Sequence, residues 1–267
     1  MKLKVLVDNN TFIDMYFLGE PALSFYIEDE DKKILFDTGY SDAFLKNCET
    51  MGIDPAKIDL IVLSHGHNDH SGGLRYLKGK KRFKLIAGPD TFNRRKDDTG
   101  LDIGSPLSVN EIRDHFDLSI MDEPVKISEH LIYLGPIKEE LPFERRYAIG
   151  NICEDDSMVP DKILEDSALV YQGRDGLFII TGCSHAGICS IIEYAKKVCH
   201  EDKITGVIGG FHLLEVNDRL HQTIDYLAKQ DIELLYPCHC VSLCAKIEMG
   251  KRLPIREVGT GLELEVL

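Results

Sequence analysis

The sequence predicts an α/β fold whose strands carry polar side chains at their carboxyl ends. Three observations carry that expectation. Two short, nearly continuous apolar runs, Ile58 to Leu63 and Leu177 to Thr181, have strand length and little polar alternation, which marks strands covered on both faces. Segments with apolar residues at helical spacing follow several strand-like segments, the rhythm of alternating strands and helices. The strand-like runs also end in glycine-containing loops that hold His, Asp or Cys, where α/β proteins place their ligands.

Taken in order, Lys2 to Val7 alternates and reads as a strand. Ala22 to Ile27 and Lys33 to Phe36 read as two more around the acidic turn Glu28 to Asp31, and the second runs into Asp37-Thr38-Gly39. Ser41 is placed to cap a helix with Phe44, Leu45, Cys48 and Met51 apolar and Gly52 as its stop. Ile58 to Leu63 delivers the chain to His65, and Phe83 to Ala87 is a further short strand. Between residues 88 and 107 the pattern fades into Gly, Pro, Asp and Arg. Ser108 and Glu111 then have capping-box spacing before a short helix. Short apolar runs follow at Leu118 to Met121 and Leu131 to Leu134. Residues 138–166 are acidic and show little periodicity. Strong strands resume after them, so this segment and 88–107 read as lid or specificity segments rather than linkers.

Beyond Leu177 to Thr181 comes Gly182-Cys183-Ser184-His185 and a helix with Ile188, Ile191, Ile192, Ala195, Val198 and Cys199 on one face. Lys203 to Ile208 is a strand that ends in Gly209-Gly210-Phe211-His212. Asn217 caps a helix with Leu220, Ile224, Leu227 and Ala228 on one side, and Glu233 to Tyr236 is a strand that ends in Pro237-Cys238-His239-Cys240. Short strands are expected to close the chain after Ile255.

Composition narrows the function. The chain of 267 residues is 43% hydrophobic and 28% charged, ordinary for a globular protein, and its formal net charge of −14 argues against nucleic acid or an anionic membrane as partner. The N-terminus lacks the apolar stretch of a signal peptide and no run reaches membrane-spanning length, so a cytoplasmic protein is expected. Its 8 cysteines are accordingly expected to be reduced.

The densest chemistry lies at Leu63-Ser64-His65-Gly66-His67-Asn68-Asp69-His70-Ser71-Gly72-Gly73-Leu74. Imidazole nitrogens and a carboxylate suit zinc and related divalent ions. His65 and His67, two apart in an extended segment, can point the same way, whereas Asp69 and His70 follow a turn. One small loop does not easily wrap all four around a single tetrahedral ion, so the spacing favours two metals, roughly 3.5–4 Å apart if bridged. Gly66, Gly72 and Gly73 permit the tight backbone this requires.

The stretch His65-x-His67-x-Asp69-His70 followed by Ser-Gly-Gly-Leu resembles the signature of the metallo-β-lactamase superfamily, and Leu35-Phe36-Asp37-Thr38-Gly39 resembles that superfamily's first motif. Thr181 to Ile188, Gly209 to Leu213 and Pro237 to Cys240 resemble a narrower branch, named for a dihydropterin ribofuranosylaminobenzene phosphate synthase of methanopterin biosynthesis. The resemblance spans nearly the whole chain. It implies a single domain over 1–267 folded as a four-layer αβ/βα sandwich with metals at the sheet edge. His65 and His67 would hold the first metal, Asp69 and His70 the second, and His239 would complete the second site. Asp37 would orient a ligand. Two departures stand out. Ile163 to Leu169, which corresponds to the usual Pro-Gly-His motif, has no histidine, and Cys183 stands where a bridging aspartate is usual. His185 is therefore expected to supply the missing ligand. Cys183 is open to two readings, a thiolate ligand or a packed thiol.

His212, after a glycine pair, is a candidate for substrate binding or proton donation, against the plainer reading of a backbone-satisfied histidine. Arg94, Arg95, Arg145 and Arg146 could clamp an anion, and free N–H groups near Ser184 and His185 could meet one. Cys238, Cys240 and Cys244 could form a separate zinc knuckle, and Cys183-Ser184-His185 a nucleophilic hydrolase, but neither has the usual spacing. The leading expectation is a hydrolase or phosphate-group transferase with two divalent ions, zinc first with manganese or iron as alternatives. It would act on an anionic, phosphoester-type small molecule with Asp69 and His212 as catalytic groups. Thioester or lactone hydrolysis on the same metals, a metal or redox sensor, and a binding module with a degenerate site are the competing readings.

Overall fold

A computed structural model describes residues 1–267. The first half contains β1 (Lys2–Val7), β2 (Ser24–Asp29), β3 (Lys32–Phe36), α1 (Ala43–Thr50), β4 (Leu60–Val62), the single-turn helices α2 (Asn68–Ser71) and α3 (Leu74–Leu77), β5 (Lys84–Ala87), β6 (Arg95–Lys96), α4 (Val109–His115) and β7 (Asp117–Ile120). The second contains β8 (Val125–Lys126), β9 (Leu131–Tyr133), β10 (Asn151–Glu154), β11 (Ser157–Pro160), β12 (Ala168–Gly173), β13 (Gly176–Thr181), α5 (Ile188–Cys199), β14 (Ile204–Gly210), α6 (Asp218–Leu227), β15 (Leu234–Cys238), α7 (Leu243–Gly250) and β16 (Glu263–Glu265).

These strands form a seven-stranded sheet in the order β16-β1-β2-β3-β4-β5-β7 and a six-stranded sheet in the order β15-β14-β13-β12-β9-β8. Period-two side-chain alternation decides how they stack. On β13, Phe178 and Ile180 join Phe25, Phe36 and Val62 of the first sheet in a core between the two sheets. Leu177 and Ile179 point the other way, to Ile188, Ile192 and Leu220 of the helices α5 and α6. On the first sheet, Leu35 and Ile61 face outward to Phe44, Leu74 and Ile112 of α1, α3 and α4. The result is helices, sheet, sheet, helices: the expected αβ/βα sandwich. Each fully buried Leu, Ile or Phe contributes about 1.5–3 kcal/mol of transfer free energy to that arrangement.

The elements recognised from patterning fall within a few residues of their expected places. Ser108 and Glu111 form both bonds of the capping box, and the Asn217 side chain accepts from Leu220 N as the cap of α6. Three features were not foreseen. β12 pairs with β9 and β13, α7 follows the last ligand loop, and β16 carries the C-terminus back to β1. Residues 88–107 and 138–166, expected to be irregular, meet in a small sheet of order β11-β10-β6. No helix is long and apolar enough to cross a membrane.

In the first sheet β3, β4 and β5 are parallel, and in the second β13, β14 and β15 are parallel. Their carboxyl ends carry Asp37, Ser64 to His70, Cys183 to His185, His212 and His239.

Candidate metal centre

Five strand-end loops converge, and their backbone is bent to do so. Asp37, Ser184, His212 and His239 have φ of 57, 59, 47 and 51°, left-handed values that non-glycine residues adopt at a cost. Glycines permit the closest approaches. A Cβ at Gly182 would lie 2.1 Å from Ser64 Oγ, where the two sheets' loops touch, and one at Gly66 would lie 2.2 Å from Thr91 O.

The side chains gather in two adjoining groups. In the first, His65, His67 and His185 are buried, with His65 Nε2 3.0 Å from His67 Nδ1. In the second, His70 Nε2 lies 3.2 Å from His239 Nε2, 3.2 Å from Cys183 Sγ and 3.6 Å from Asp69 Oδ2. His239 Nε2 is 3.2 Å from the same Asp69 oxygen. The groups share a wall, because the rings of His65 and His70 are 4.2 Å apart.

Hydrogen bonds fix which nitrogens are free. Fully buried Asp37 accepts from Ser64 N at 2.8 Å through Oδ1, and from Ser64 Oγ and His70 Nδ1, each at 2.7 Å, through Oδ2. Ser64 spends its one proton on Asp37, so it accepts from His65 Nδ1 at 2.9 Å, which leaves the His65 Nε2 lone pair facing inward. His239 Nδ1 donates to Asn9 Oδ1 at 3.2 Å, while His239 N donates to Asp8 Oδ2 at 2.9 Å. The second group therefore presents two imidazole lone pairs and a carboxylate to one point, with the Cys183 sulfur beside them. With both rings neutral, the two Nε2 atoms and the Asp69 carboxylate are all acceptors, and His67 Nε2 and both His185 ring nitrogens are buried without a partner. A divalent cation answers that pattern, and the donor set fits one.

The local field agrees. Burial alone would depress His70, but the Asp69 and Asp37 carboxylates outweigh it and lift its pKa to about 9, so positive charge is favoured there. Burial alone would raise Asp69, but His70 and His239 hold its carboxyl well below the usual range. Burial pushes His67 down to about 4 and His65 and His185 well below their ordinary value, which keeps their lone pairs available. Burial also pushes the Cys183 thiol up.

All seven candidate ligands are thus brought together: His65, His67, Asp69, His70, Cys183, His185 and His239. His212 sits at the rim, its ring 4.6 Å from that of His185 and its Nδ1 buried without a partner, so it is not a backbone-satisfied histidine. Its own N–H donates to Cys240 Sγ at 3.2 Å, and Cys183, His212 and Cys240 form a third adjoining group. The knuckle reading fails, because Cys238 is buried and Cys244 exposed, apart from Cys240.

Arg95, Arg146 and the helix N-terminus turn out differently from expectation. Arg95 is buried against Asp161 and Glu165, and Arg146 donates to Ile137 O and Ile163 O, so both serve the scaffold. Arg94 donates to Cys153 Sγ at 3.4 Å. The first turn of α5 is filled by the chain itself: Glu144 accepts from Cys189 N and Ser190 N, and Asp166 accepts from Ala186 N. Asp8, Asn9, Glu144, Glu165 and Cys240 were not singled out for these contacts. Only their partners, far off in sequence, reveal them.

Replacing Asp37 by Ala strands the Ser64 and His70 donors in the core. An unsatisfied buried donor costs about 1–3 kcal/mol, and losing the group that orients a metal ligand costs about 10–100-fold in metal affinity. Denaturant unfolding and metal competition are expected to register both losses, and a variant matching the parent in both would refute the role.

Comparison with known proteins places the fold in context. Residues 18–198 match the family model described as the metallo-beta-lactamase superfamily. An uncharacterized protein of Methanocaldococcus jannaschii is 34% identical over 253 residues, covering 93% of this chain and 94% of the relative. The 7,8-dihydropterin-6-methyl-4-(beta-D-ribofuranosyl)-aminobenzene-5'-phosphate synthase of the same organism is 30% identical over 262 residues, covering 92% and 89%. A crystal structure described as Tm1679, a metal-dependent hydrolase of the beta-lactamase superfamily, superposes with a TM-score of 0.85 at 28% identity, covering 100% of this chain and 99% of the other.

Proposed function

This chain belongs to the metallo-β-lactamase superfamily, and from that premise we propose that it is a dinuclear, metal-dependent hydrolase or phosphate-group transferase acting on an anionic phosphoester. The observation that carries the reading is the convergence of two groups of candidate donors on adjoining points, His65, His67 and His185 beside Asp69, His70, Cys183 and His239. Zinc is the first choice for imidazole, carboxylate and thiol donors, with manganese or iron as alternatives. The synthase-named relative supports a pterin-related phosphate as substrate.

Divalent ions bound there would supply Lewis acidity, which acidifies a water and polarises a phosphoryl oxygen. The chain supplies the rest. Asp37 holds the His70 Nδ1 proton and Asn9 that of His239, so both rings keep a free Nε2. Asp69, with a partly exposed carboxylate beside His70 and His239, is placed to take a proton from an attacking water. His212, with a ring nitrogen uncommitted at the rim, is placed to hold or return a proton at the leaving oxygen. Asp69 would be one anionic donor and Cys183, if bound as a thiolate, the other; with either count two divalent ions leave a net positive centre inside an acidic protein. An anionic ester suits that field better than a neutral one.

The test is a panel of phosphomonoesters, phosphodiesters, thioesters and lactones assayed before and after chelation. Phosphoester turnover that chelation removes and zinc or manganese restores is expected. Turnover indifferent to chelators, or confined to thioesters or lactones, would overturn the proposal.

A further inference from the structure

Beyond His212 the structure opens into a cavity of about 300 Å³, lined by Tyr147, His212, Leu214, Glu215, Asn217 and Arg219. Its contents are unusual for a protein with a formal net charge of −14. Arg219, half-buried on α6, belongs to no ion pair; its hydrogen bond is to Arg145 O at 3.3 Å. Its guanidinium carbon lies 5.8 Å from the centroid of the Tyr147 ring. Tyr147 is half-exposed and its ring lies 6.1 Å from that of His212, which in turn touches His185 of the metal centre. Arg219 thus has a carbonyl and an aromatic face as partners but no counter-charge, and an anion entering the cavity would supply one. Glu215 is the one carboxylate on the lining, and it is exposed and forms no ion pair with Arg219.

The geometry points to this cavity as a subsite for the non-reacting end of the substrate, an aromatic ring that carries an anionic group. The ring lies on Tyr147, the anion meets Arg219, and His212 divides the subsite from the metal centre. The proposal rests on the reading of that centre as the reaction site, and it deepens that reading by naming what the substrate carries. Arg219, rather than the arginines of the two long segments, then sets specificity.

The chain has no tryptophan, so Tyr147→Trp places a single fluorescent reporter on the subsite. Titrating this variant with phenylphosphonate, which cannot be hydrolysed as an ester, is expected to give a saturable change, with phenol binding at least about 10-fold more weakly. Adding Arg219→Met is expected to weaken phenylphosphonate about 10-fold or more, and Arg219→Lys to restore part of it. In the otherwise unaltered chain, Arg219→Met should raise KM for phosphoesters bearing a second aryl anion more than for those without one. Equal affinities for phenylphosphonate and phenol, or an Arg219→Met variant with unchanged affinity, would overturn the subsite. Repeating the titration after chelation separates the two proposals. Arg219-dependent binding in a protein inactive on every ester keeps the subsite and removes the hydrolase. Phosphoester turnover with no Arg219 dependence does the reverse.

Discussion

Replacing Arg95 by Met is expected to cost about 3–5 kcal/mol of folding stability, the largest loss of any single substitution outside the apolar core. The reason lies in what surrounds it. Arg95 is 1% exposed, its Nε donates to Asp161 Oδ2 at 2.7 Å and its Nη2 to Glu165 Oε1 at 2.5 Å, while Nη1 donates to Asp90 O and Thr91 O. Methionine fills the space but leaves two buried carboxylates with no counter-charge. Burial already pushes Glu165 up and Arg95 is what chiefly opposes it, so the variant pushes Glu165 further up. The damage reaches the metal loop, because Glu165 Oε1 also accepts from Gly66 N at 3.2 Å, between His65 and His67. Arg95→Lys keeps the charge and loses the fork, and should recover only part. Chemical denaturation reads the result; a midpoint for Arg95→Met equal to the parent's would contradict the account.

Replacing His67 by Ala is expected to remove one metal and lower turnover by more than about 100-fold. Loss of groups that merely orient ligands already costs about 10–100-fold, and His67 is proposed as a ligand itself. The folded chain should survive, since removing the ring deletes a buried nitrogen that has no partner, His67 Nε2, along with the one beside His65. Metal content and kcat measured on the same preparation test this. Unchanged occupancy would take His67 out of the ligand set, whatever happened to the rate.

How much of this is legible in the sequence depends on sequence distance. α5 and α6 were readable because their buried residues recur at helical spacing, and α6 because Asn217 caps it from an adjacent position. β4 and β13 were readable as apolar runs. α7 was not. Its cap, Ser242, is as good as Asn217, but Leu243 and Ile247 are exposed and only Ala245 and Met249 face inward, so no apolar stripe announces it. The three-stranded sheet escapes pattern reading because its strands are very short and β6 lies far along the chain from the β10–β11 hairpin it joins.

The metal site divides in the same way. His65 to His70 stand out because the candidate ligands are neighbours in sequence, and strand ends drew attention to His185, His212 and His239. What holds those rings lies elsewhere. Asp37 is 33 residues from His70, and Asn9 is 230 from His239. The helix start after Ser184 and His185 reads in the sequence as a place where a bound anion could sit. Its occupant, Glu144, is the chain's own and lies 45 residues from Cys189. Arg219 went unmarked because a lone arginine at the start of a helix carries no signal until Tyr147 is seen beside it.

Calorimetric titration of the chelator-stripped protein with zinc decides whether one chain offers two adjoining metal positions. The account predicts about two ions bound per chain, with the second lost when His70 is replaced by Ala and the first when His67 is. A single ion at saturation, or uptake that neither substitution alters, would contradict it.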